Sequence, residues 1–353
     1  MTSEQTGPGT KAPSAHGAGH AGLSSGIGAP RWGITIPLNG VSLSQHRELL
    51  RELVALGYSD LWTAEVAGSD AFTPLAFAAA IAPELRLGTA IASVFSRGPG
   101  LLAMEAAALA DAAPGRFVLG IGASSEAIVG GWNDRAFEKP YSRMRDALRF
   151  LRSALAGERV DRVYDTFSIS AFALERPPAQ PPPIFLAALQ KRMLALAGAE
   201  ADGAMLGLLG PEDVARVAAV VHRAGPAERQ AEIVLRIGVL PTRDADQARA
   251  TCRRLIAAYL SVPAYAGLHS WLGRGELLTP MWRAWHAGDR KRAVAAVPDE
   301  LVDSLFVHGP PESCREQIQR FVAAGVTTPV LSIMSSGGDL SRTLRELSPE
   351  GFA

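Results

Sequence analysis

Two carboxylates could do acid–base chemistry because of where they fall along the chain. Glu65 and Asp70 stand in the segment Thr63-Ala-Glu-Val-Ala-Gly-Ser-Asp, directly after a short apolar run that predicts a β-strand. In a parallel barrel the carboxyl end of a strand lies at the face that carries the chemistry, and a carboxylate there can give or take a proton. The alternative is a solvated loop, with Asp70 capping a helix that begins near Thr73. The residues alone leave the two interpretations evenly balanced.

Two glycine motifs are weaker than they first look. Gly120-Ile-Gly122 follows a predicted strand and could open a dinucleotide-binding turn, but Ser125 holds the third glycine position. Gly122-Ala-Ser124-Ser-Glu126 resembles a nucleophile elbow whose closing glycine is replaced by Glu126, and no Asp and His pair follows at recognisable strand ends. The sequence therefore favours neither a Rossmann domain nor a serine hydrolase.

Metal and disulfide chemistry are also disfavoured. The seven histidines are scattered, and none forms a tight pair with a carboxylate at ligand spacing. The two cysteines, Cys252 and Cys314, both fall in predicted helices, which is typical of free thiols in a cytoplasmic protein. We therefore expect neither a metal site nor a disulfide.

Small residues end two of the predicted strands. The run from Leu87 to Ser93 would let a planar ligand approach the backbone closely, although the same residues also suit tight barrel packing. The run from Pro183 to Gln190 leads a strand into a helix, whose first backbone amides could hold a phosphate. Every barrel helix has such an end, so this second signal is not specific.

Composition supports one large globular domain. The chain has 353 residues, no formal net charge and 48% hydrophobic residues, which suffices for a large core and leaves no electrostatic footprint for nucleic acid. No apolar run is long enough for a membrane span, and no signal peptide is evident. Residues Met1 to Pro30 are rich in Gly, Ala, Ser and Pro and predict a flexible tail.

From Arg31 onward, short apolar runs alternate with helical stretches. We predict strands at Trp32–Pro37, Asp60–Thr63, Leu85–Ala92, Arg116–Gly122, Pro183–Ala187, Gly203–Leu206, Ile233–Leu240 and Thr328–Met334. Eight such units indicate a parallel sheet, either closed as a (β/α)8 TIM barrel or open and doubly wound. Two stretches interrupt the repeat, a predicted hairpin at Val160–Leu174 and a long insertion at Ser261–Asp303, and barrel insertions commonly build the active-site mouth at the C-terminal face.

Taken together, these segments resemble the bacterial luciferase-like superfamily, and within it the branch that uses the 5-deazaflavin coenzyme F420. The likeness extends over nearly all of Arg31 to Met334. Its markers are Leu61-Trp-Thr-Ala-Glu65, Asp70-Ala-Phe-Thr-Pro-Leu75, Leu87-Gly-Thr89, Arg97-Gly-Pro99, Pro114-Gly-Arg-Phe-Val-Leu-Gly-Ile-Gly122, Trp132-Asn133, Pro183-Ile-Phe-Leu-Ala-Ala-Leu189 and Ala201-Asp-Gly203.

The resemblance implies that residues 31–353 form one luciferase-like barrel domain with the cofactor ring lying in the barrel mouth. It also implies a cis peptide bond between Ala90 and Ile91 behind the ring. The implied cofactor contacts are Ala90, Ile91 and Ser93 beside the ring, Gly122, Ala123 and Ser124 along its arm, and Ala188, Leu189 and Gln190 at its phosphate.

The implied reaction is hydride transfer between coenzyme F420 and a small organic substrate, in a cytoplasmic homodimer. One departure matters, because Val66 stands where some relatives carry a histidine that assists the transfer. Glu65 and Asp70 are then the candidates for proton transfer. Two alternatives stay open: an FMN-dependent luciferase-like monooxygenase, and a deazaflavin-binding protein without catalytic activity.

Overall fold

A computed structural model describes residues 29–334 and 339–352 of the chain, so all but the last two residues of the predicted tail lie outside the described residues. The strands are, in chain order, β1 (Gly33–Ile36), β2 (Asp60–Thr63), β3 (Arg86–Thr89), β4 (Ala92–Ser93), β5 (Phe117–Gly122), β6 (Val160–Val163), β7 (Ser168–Phe172), β8 (Ile184–Ala187), β9 (Gly203–Gly207), β10 (Glu232–Pro241), β11 (Phe306–Gly309) and β12 (Thr328–Ile333).

The helices connect these strands. They are α1 (His46–Ala55), α2 (Thr73–Ala79), α3 (Pro99–Ala112), α4 (Glu126–Val129), α5 (Pro140–Leu155), α6 (Lys191–Glu200), α7 (Pro211–Ala224), α8 (Ala245–Leu260), α9 (Pro263–Trp271), α10 (Gly275–His286), α11 (Arg290–Ala295), α12 (Asp299–Leu305), α13 (Pro311–Ala323) and α14 (Leu340–Glu346). None of these helices is long and apolar enough to cross a membrane.

Eight of the strands close into a parallel barrel. Their order is β1-β2-β3-β5-β8-β9-β10-β12, and the last strand pairs with the first through Gly33 and Val330. The closed sheet confirms the predicted (β/α)8 barrel and rules out the open doubly wound alternative. It also confirms seven of the eight predicted strands in position, with small differences at their ends.

Apolar stripes on the helices explain why they pack on the outside of the barrel. In α5 the buried residues include Met144, Leu148, Leu151 and Leu155, which recur at helical spacing on one face. In α3 most of the buried residues are alanines, which allow close approach to the sheet. The homodimer that the resemblance implies stays a prediction.

One strand and one insertion differ from the prediction. The predicted strand Leu85–Ala92 is interrupted after Thr89, and its continuation β4 pairs only with β5. The insertion Ser261–Asp303 forms helices and is followed by β11, which the sequence reading missed. This strand pairs with the last four residues of β10, beyond the point where β9 leaves it at Arg236. The predicted hairpin is present as the antiparallel pair of β6 and β7.

A layer of large side chains fills the middle of the barrel. Trp62, Val118, Phe185 and Met205 belong to one buried cluster inside it. Space for the Trp62 indole depends on Gly88, since a Cβ atom there would lie 2.3 Å from the ring. This layer forms the floor of the recess that opens at the C-terminal end of the strands.

Candidate active site

The mouth of the barrel is an open recess above the buried layer. The inward-facing residues that come next toward the C-terminal ends of the strands are half-buried rather than buried. Examples are Thr35, Ala90, Ala187 and Arg236. The C-terminal ends of the strands therefore surround a space that solvent reaches. This is the face on which (β/α)8 barrels carry out their chemistry.

One side of the mouth holds a pocket of about 420 Å³ between the ends of β2, β4 and β5. Four of the residues predicted for the site line it: Glu65, Asp70, Ser93 and Ser124. Sequence reasoning missed Arg97, Leu101, Glu105 and Ile128, which also line the pocket. In the sequence, Arg97 stands out only as part of the Arg97-Gly-Pro99 marker, which assigns no role to its side chain.

Glu65 is fully engaged in a charge network. Arg97 donates to both of its carboxylate oxygens over 2.6 Å, and the backbone amides of Ala71 and Ser93 donate to the same oxygens at 3.2 and 3.3 Å. On its other side Arg97 contacts Glu105, with 2.7 Å between Nε and Oε2. Such a bidentate pair holds the loop after β2 against β4.

Burial shifts the pKa values of Arg97 and Glu105 in opposite directions. For Arg97, burial favours the neutral form, but hydrogen bonding and attraction to Glu65 outweigh it, so the pKa is raised. For Glu105, burial raises the pKa above its usual value, and the opposing pull of Arg97 does not fully offset it. Glu105 therefore takes up a proton more readily than a glutamate in water does.

Asp70 caps α2. Its Oδ1 accepts hydrogen bonds of 2.8 Å from the backbone amides of Phe72 and Thr73. Burial raises the pKa of this carboxyl, but the hydrogen bonds from Thr73 and Phe72 outweigh burial, and the pKa is lowered. The contacts match the capping interpretation, while a role in proton transfer stays a prediction.

Replacing Asp70 with alanine tests the cap. We expect a loss of about 1 kcal/mol of unfolding free energy at neutral pH, the usual cost of an N-cap. The stabilisation should be fully present above the ordinary pKa of Asp and disappear as pH falls through the lowered folded-state pKa. Urea denaturation of both proteins between pH 7 and pH 2.5 measures this.

Asp244→Ala is the matched control, because Asp244 caps α8 through Gln247 and lies outside the pocket. Both variants should lose similar stability. A loss in the Asp70 variant that persists unchanged at pH 2.5 would contradict the capping role.

The cis peptide bond predicted between Ala90 and Ile91 is present. It separates β3 from β4 and turns the Ile91 side chain toward Gly122, where a Cβ atom would lie 2.5 Å from it. The Ser93 side chain is buried, and its Oγ accepts from the amides of Phe95 and Ser96. The Ser93 hydroxyl group therefore fixes the loop that follows β4.

The residues predicted at the cofactor arm and phosphate lie on two parts of the rim. Gly122 ends β5, and Ala123 and Ser124 follow it half-buried, with Ser124 at a φ of 64°. Ala188 and Gln190 lie between β8 and α6 and do not line the 420 Å³ pocket. The amide of Ala188 already donates to the Met205 carbonyl, so only later amides at the start of α6 are available to an anion.

Cationic side chains follow directly in the first turn of α6. Lys191 lies over the ring of Trp271 and Arg192 over the ring of Tyr141, at 5.2 and 4.2 Å from the ring centres. Arg216 also lies over the Trp271 ring, 4.8 Å from its centre. A helix N-terminus with these charges suits a phosphate or another anionic arm.

The wall between β3 and β5 is apolar and tightly packed. Gly120 faces the barrel interior, and a Cβ atom there would lie 1.9 Å from the Thr89 carbonyl oxygen and 2.5 Å from the Met205 sulfur. Together with Ala90 and Gly122 it forms a wall on which the side chains of Met205 and Ile91 pack against the two glycines. The residues present are thus compatible with a planar cofactor resting on this wall and its anionic arm running toward α6.

The histidines and cysteines take structural positions. His46 accepts a 2.8 Å hydrogen bond from the Leu38 amide, and His269 is buried against the Leu208 carbonyl. Burial raises the pKa of the Cys252 and Cys314 thiols to about 12, and both are free. Within the described ranges, no group of three or more His, Cys, Asp or Glu residues could hold a metal ion.

Comparison with known proteins extends this picture. A Mycobacterium tuberculosis protein, Rv3520c, provisionally named a coenzyme F420-dependent oxidoreductase, is 28% identical over 345 residues, which cover 90% of this chain and 96% of that protein. The coenzyme F420-dependent tetrahydromethanopterin reductase structure from Methanopyrus kandleri matches with a TM-score of 0.73 at 18% identity, covering 91% and 98% of the two chains.

A structure with a different cofactor shares the fold. The oxygenating constituent of 3,6-diketocamphane monooxygenase from Pseudomonas putida, in complex with FMN, matches with a TM-score of 0.63 at 17% identity, covering 91% and 97% of the two chains. At these identities the solved structures establish the fold alone. The family model described as luciferase-like monooxygenase matches residues 20–328, and the chain is therefore an enzyme that belongs to the luciferase-like monooxygenase family.

Proposed function

We propose that this enzyme transfers a hydride between coenzyme F420 and a small organic substrate. The observation that carries the proposal is the open barrel mouth, whose wall at Ala90, Ile91 and Gly122 is apolar and tightly packed and therefore suits a planar ring. The relative named as an F420-dependent oxidoreductase, matched over 90% of the chain, supports the choice of a deazaflavin. When bound, this cofactor supplies a carbon that carries a hydride, in place of the nitrogen of a flavin.

In this proposal the cofactor residues are those that the sequence predicted. Ala90, Ile91 and Ser93 back the ring, Gly122, Ala123 and Ser124 line its arm, and the segment Ala188–Gln190 with the start of α6 holds its phosphate. Lys191 and Arg192 neutralise the rest of the anionic arm. The chain's main tasks are to orient the ring face toward a substrate carbon and to exclude water.

Glu65 acts as a positioning residue in this scheme. Because Arg97 and two amides occupy its oxygens, it holds the loop after β2 in place and keeps the pocket shaped. Val66, which is 50% exposed, and Trp132 cover the pocket from the solvent side. Glu105 is better suited to donate a proton than Asp70, since burial raises the pKa of Glu105 while hydrogen bonds lower the pKa of Asp70.

The test is a direct comparison of cofactor affinities. We expect purified protein to bind F420 at least tenfold more tightly than FMN, measured by fluorescence titration. Tight FMN binding without F420 binding would overturn the proposal. It would favour a flavin-dependent monooxygenase, the alternative that the FMN-containing structure suggests, and oxygen consumption with reduced FMN would then be the next measurement.

The cationic turn of α6 gives a second expected result. The double change Lys191→Gln and Arg192→Gln should weaken F420 binding about tenfold and flatten its dependence on salt, because two charges no longer face the anionic arm. Arg223→Gln is the control, since Arg223 is exposed at the far end of α7. Equal affinities for all three proteins would remove α6 from the cofactor site.

A further inference from the structure

We propose that the wall of the barrel mouth formed by β10, β12 and β1 binds an anionic oxygen group of a small molecule, such as a carboxylate or an enolate-type oxygen. Arg236 is the principal donor, and Thr35 and Ser332 complete the site. The inference rests on the proposed function, which it deepens by stating what chemistry this side of the mouth recognises.

Strand alternation places the three side chains inside the barrel. Val234 and Val330 belong to the buried interior cluster, so Arg236 and Ser332, two residues further along the same strands, face the same interior. Thr35 faces inward for the same reason, because Gly33 points at Trp62. All three are half-buried, as expected for residues at the open mouth.

Several polar atoms on and beside this wall are buried without a hydrogen-bond partner. Arg236 donates from Nη2 to the Ser332 Oγ over 2.9 Å, while its Nε is buried without a hydrogen-bond partner. The Thr35 hydroxyl and the Trp62 Nε1 are also buried without partners. Among the residues that the structure describes, no carboxylate lies within 4.0 Å of the Arg236 guanidinium, since it takes part in no ion pair.

Another interior arginine shows what structural compensation looks like in the same barrel. Arg86, at the N-terminal end, pairs with both Asp60 and Glu232 and donates to them over 2.6 to 2.9 Å. Arg236 has only a neutral hydroxyl as its partner. Removing a charged donor from water without a counter-charge is unfavourable, and such groups are typically kept where a ligand supplies the missing partner.

The position of Arg236 suits recognition of an oxygen that gains negative charge. Two strands separate β10 from β2 on one side and from β5 on the other, so Arg236 faces the carboxylates of the 420 Å³ pocket from across the mouth. The Arg236 charge also acts on Tyr265, which lies in the insertion Ser261–Asp303. Burial raises the pKa of Tyr265 to about 12, and Arg236 is the cationic group that opposes this shift. Tyr265 therefore keeps its proton beside this wall.

The experiment compares wild type with Arg236→Met and Arg236→Lys, and uses Arg254→Met as the control for loss of an exposed charge. The probes are sodium acetate, followed by thermal shift at constant ionic strength, and F420, followed by fluorescence titration. Acetate should raise the wild-type and Arg254→Met melting temperatures. It should have little effect on Arg236→Met, and Arg236→Lys should fall between them because the charge remains without the fork.

The unliganded melting temperature separates a binding role from a structural one. Because Arg236 has no counter-charge, Arg236→Met should melt at the same or a higher temperature than wild type. A lower melting temperature, together with unchanged acetate and F420 affinities, would identify a structural arginine and overturn the proposal. Equal acetate effects in wild type and Arg236→Met, with unchanged F420 affinity, would overturn it as well, as would no acetate effect in wild type with F420 affinity unchanged.

The two probes also identify the source of the oxygen. If the cofactor provides it, Arg236→Met weakens F420 binding at least tenfold and F420 displaces acetate. If the substrate provides it, F420 affinity changes less than threefold and acetate still binds to the F420 complex. Should wild type bind acetate through Arg236 but bind no F420 at all, the anion site stands and the proposed function fails.

Discussion

Gly120→Ala is expected to lower the free energy of unfolding by about 3 kcal/mol and to abolish tight binding of F420. The added Cβ atom would lie 1.9 Å from the Thr89 carbonyl oxygen, which is a backbone atom of the neighbouring strand and cannot turn away. It would also press on the Met205 sulfur at 2.5 Å. Either the strands separate or the mouth changes shape.

The same position ties two strands together through a pair of buried hydrogen bonds. The Thr89 hydroxyl donates to the Gly120 carbonyl over 2.7 Å and accepts from the Gly120 amide over 2.9 Å. Any shift that relieves the overlap therefore weakens these bonds as well, and leaving such groups unpaired costs about 1–3 kcal/mol. The expected loss thus has two sources that act in the same direction.

Gly207→Ala is the matched control for this substitution. Gly207 also lies at the C-terminal end of a barrel strand, but a Cβ atom there would meet nothing within 4 Å, and its φ is not positive. Urea denaturation should show a change below about 0.5 kcal/mol for this variant. Equal stability of the two variants, with F420 affinity retained in both, would mean that the wall at Gly120 is more yielding than its contacts indicate.

The barrel could be predicted from the sequence because the patterns that indicate strands and helices are local. Runs such as Phe117–Ile121 are apolar on both faces, as strands covered on both sides must be, and helical stripes such as that of α5 recur between them. The short strand β11 escaped notice because its pairing with β10 depends on where β9 departs. The four residues of β11 alone do not indicate where β9 ends its pairing with β10.

The candidate site likewise contains some residues that the sequence predicts and others that depend on the fold. Glu65, Asp70, Ser93 and Ser124 could be placed at strand ends from the sequence, and all four line one pocket. The partner of Glu65 could not be found, because Arg97 follows 32 residues later in a loop whose path depends on the whole fold. Arg236 does leave a signal in the sequence, because its spacing places it on the same strand face as Val234 and Gly238.

Replacing Arg97 with methionine is the second change with a large expected effect. It would leave Glu65 and Glu105 facing each other in a partly buried pocket without their shared cation, with Asp70 nearby. Removing one partner of a buried ion pair typically costs about 3–5 kcal/mol, because the remaining charge keeps its desolvation penalty. Since the Arg97 and Glu65 side chains are 12% and 16% exposed, we expect about 3 kcal/mol and a loss of F420 affinity.

The pH dependence of this loss identifies its cause. Burial raises the pKa of Glu105 and Arg97 lowers it, so without Arg97 the pKa rises further. A carboxyl whose folded-state pKa lies above its unfolded value binds more protons when folded, and stability then increases as pH falls through the folded pKa. The loss of unfolding free energy in Arg97→Met relative to wild type should therefore be smaller at pH 5 than at pH 8 in urea denaturation.

The control is Arg176→Met, which removes an exposed pair with Asp111 and should cost less than about 1 kcal/mol at both pH values. A deficit that does not vary with pH would show that Arg97 acts through packing against Phe72 rather than through the charges of Glu65 and Glu105.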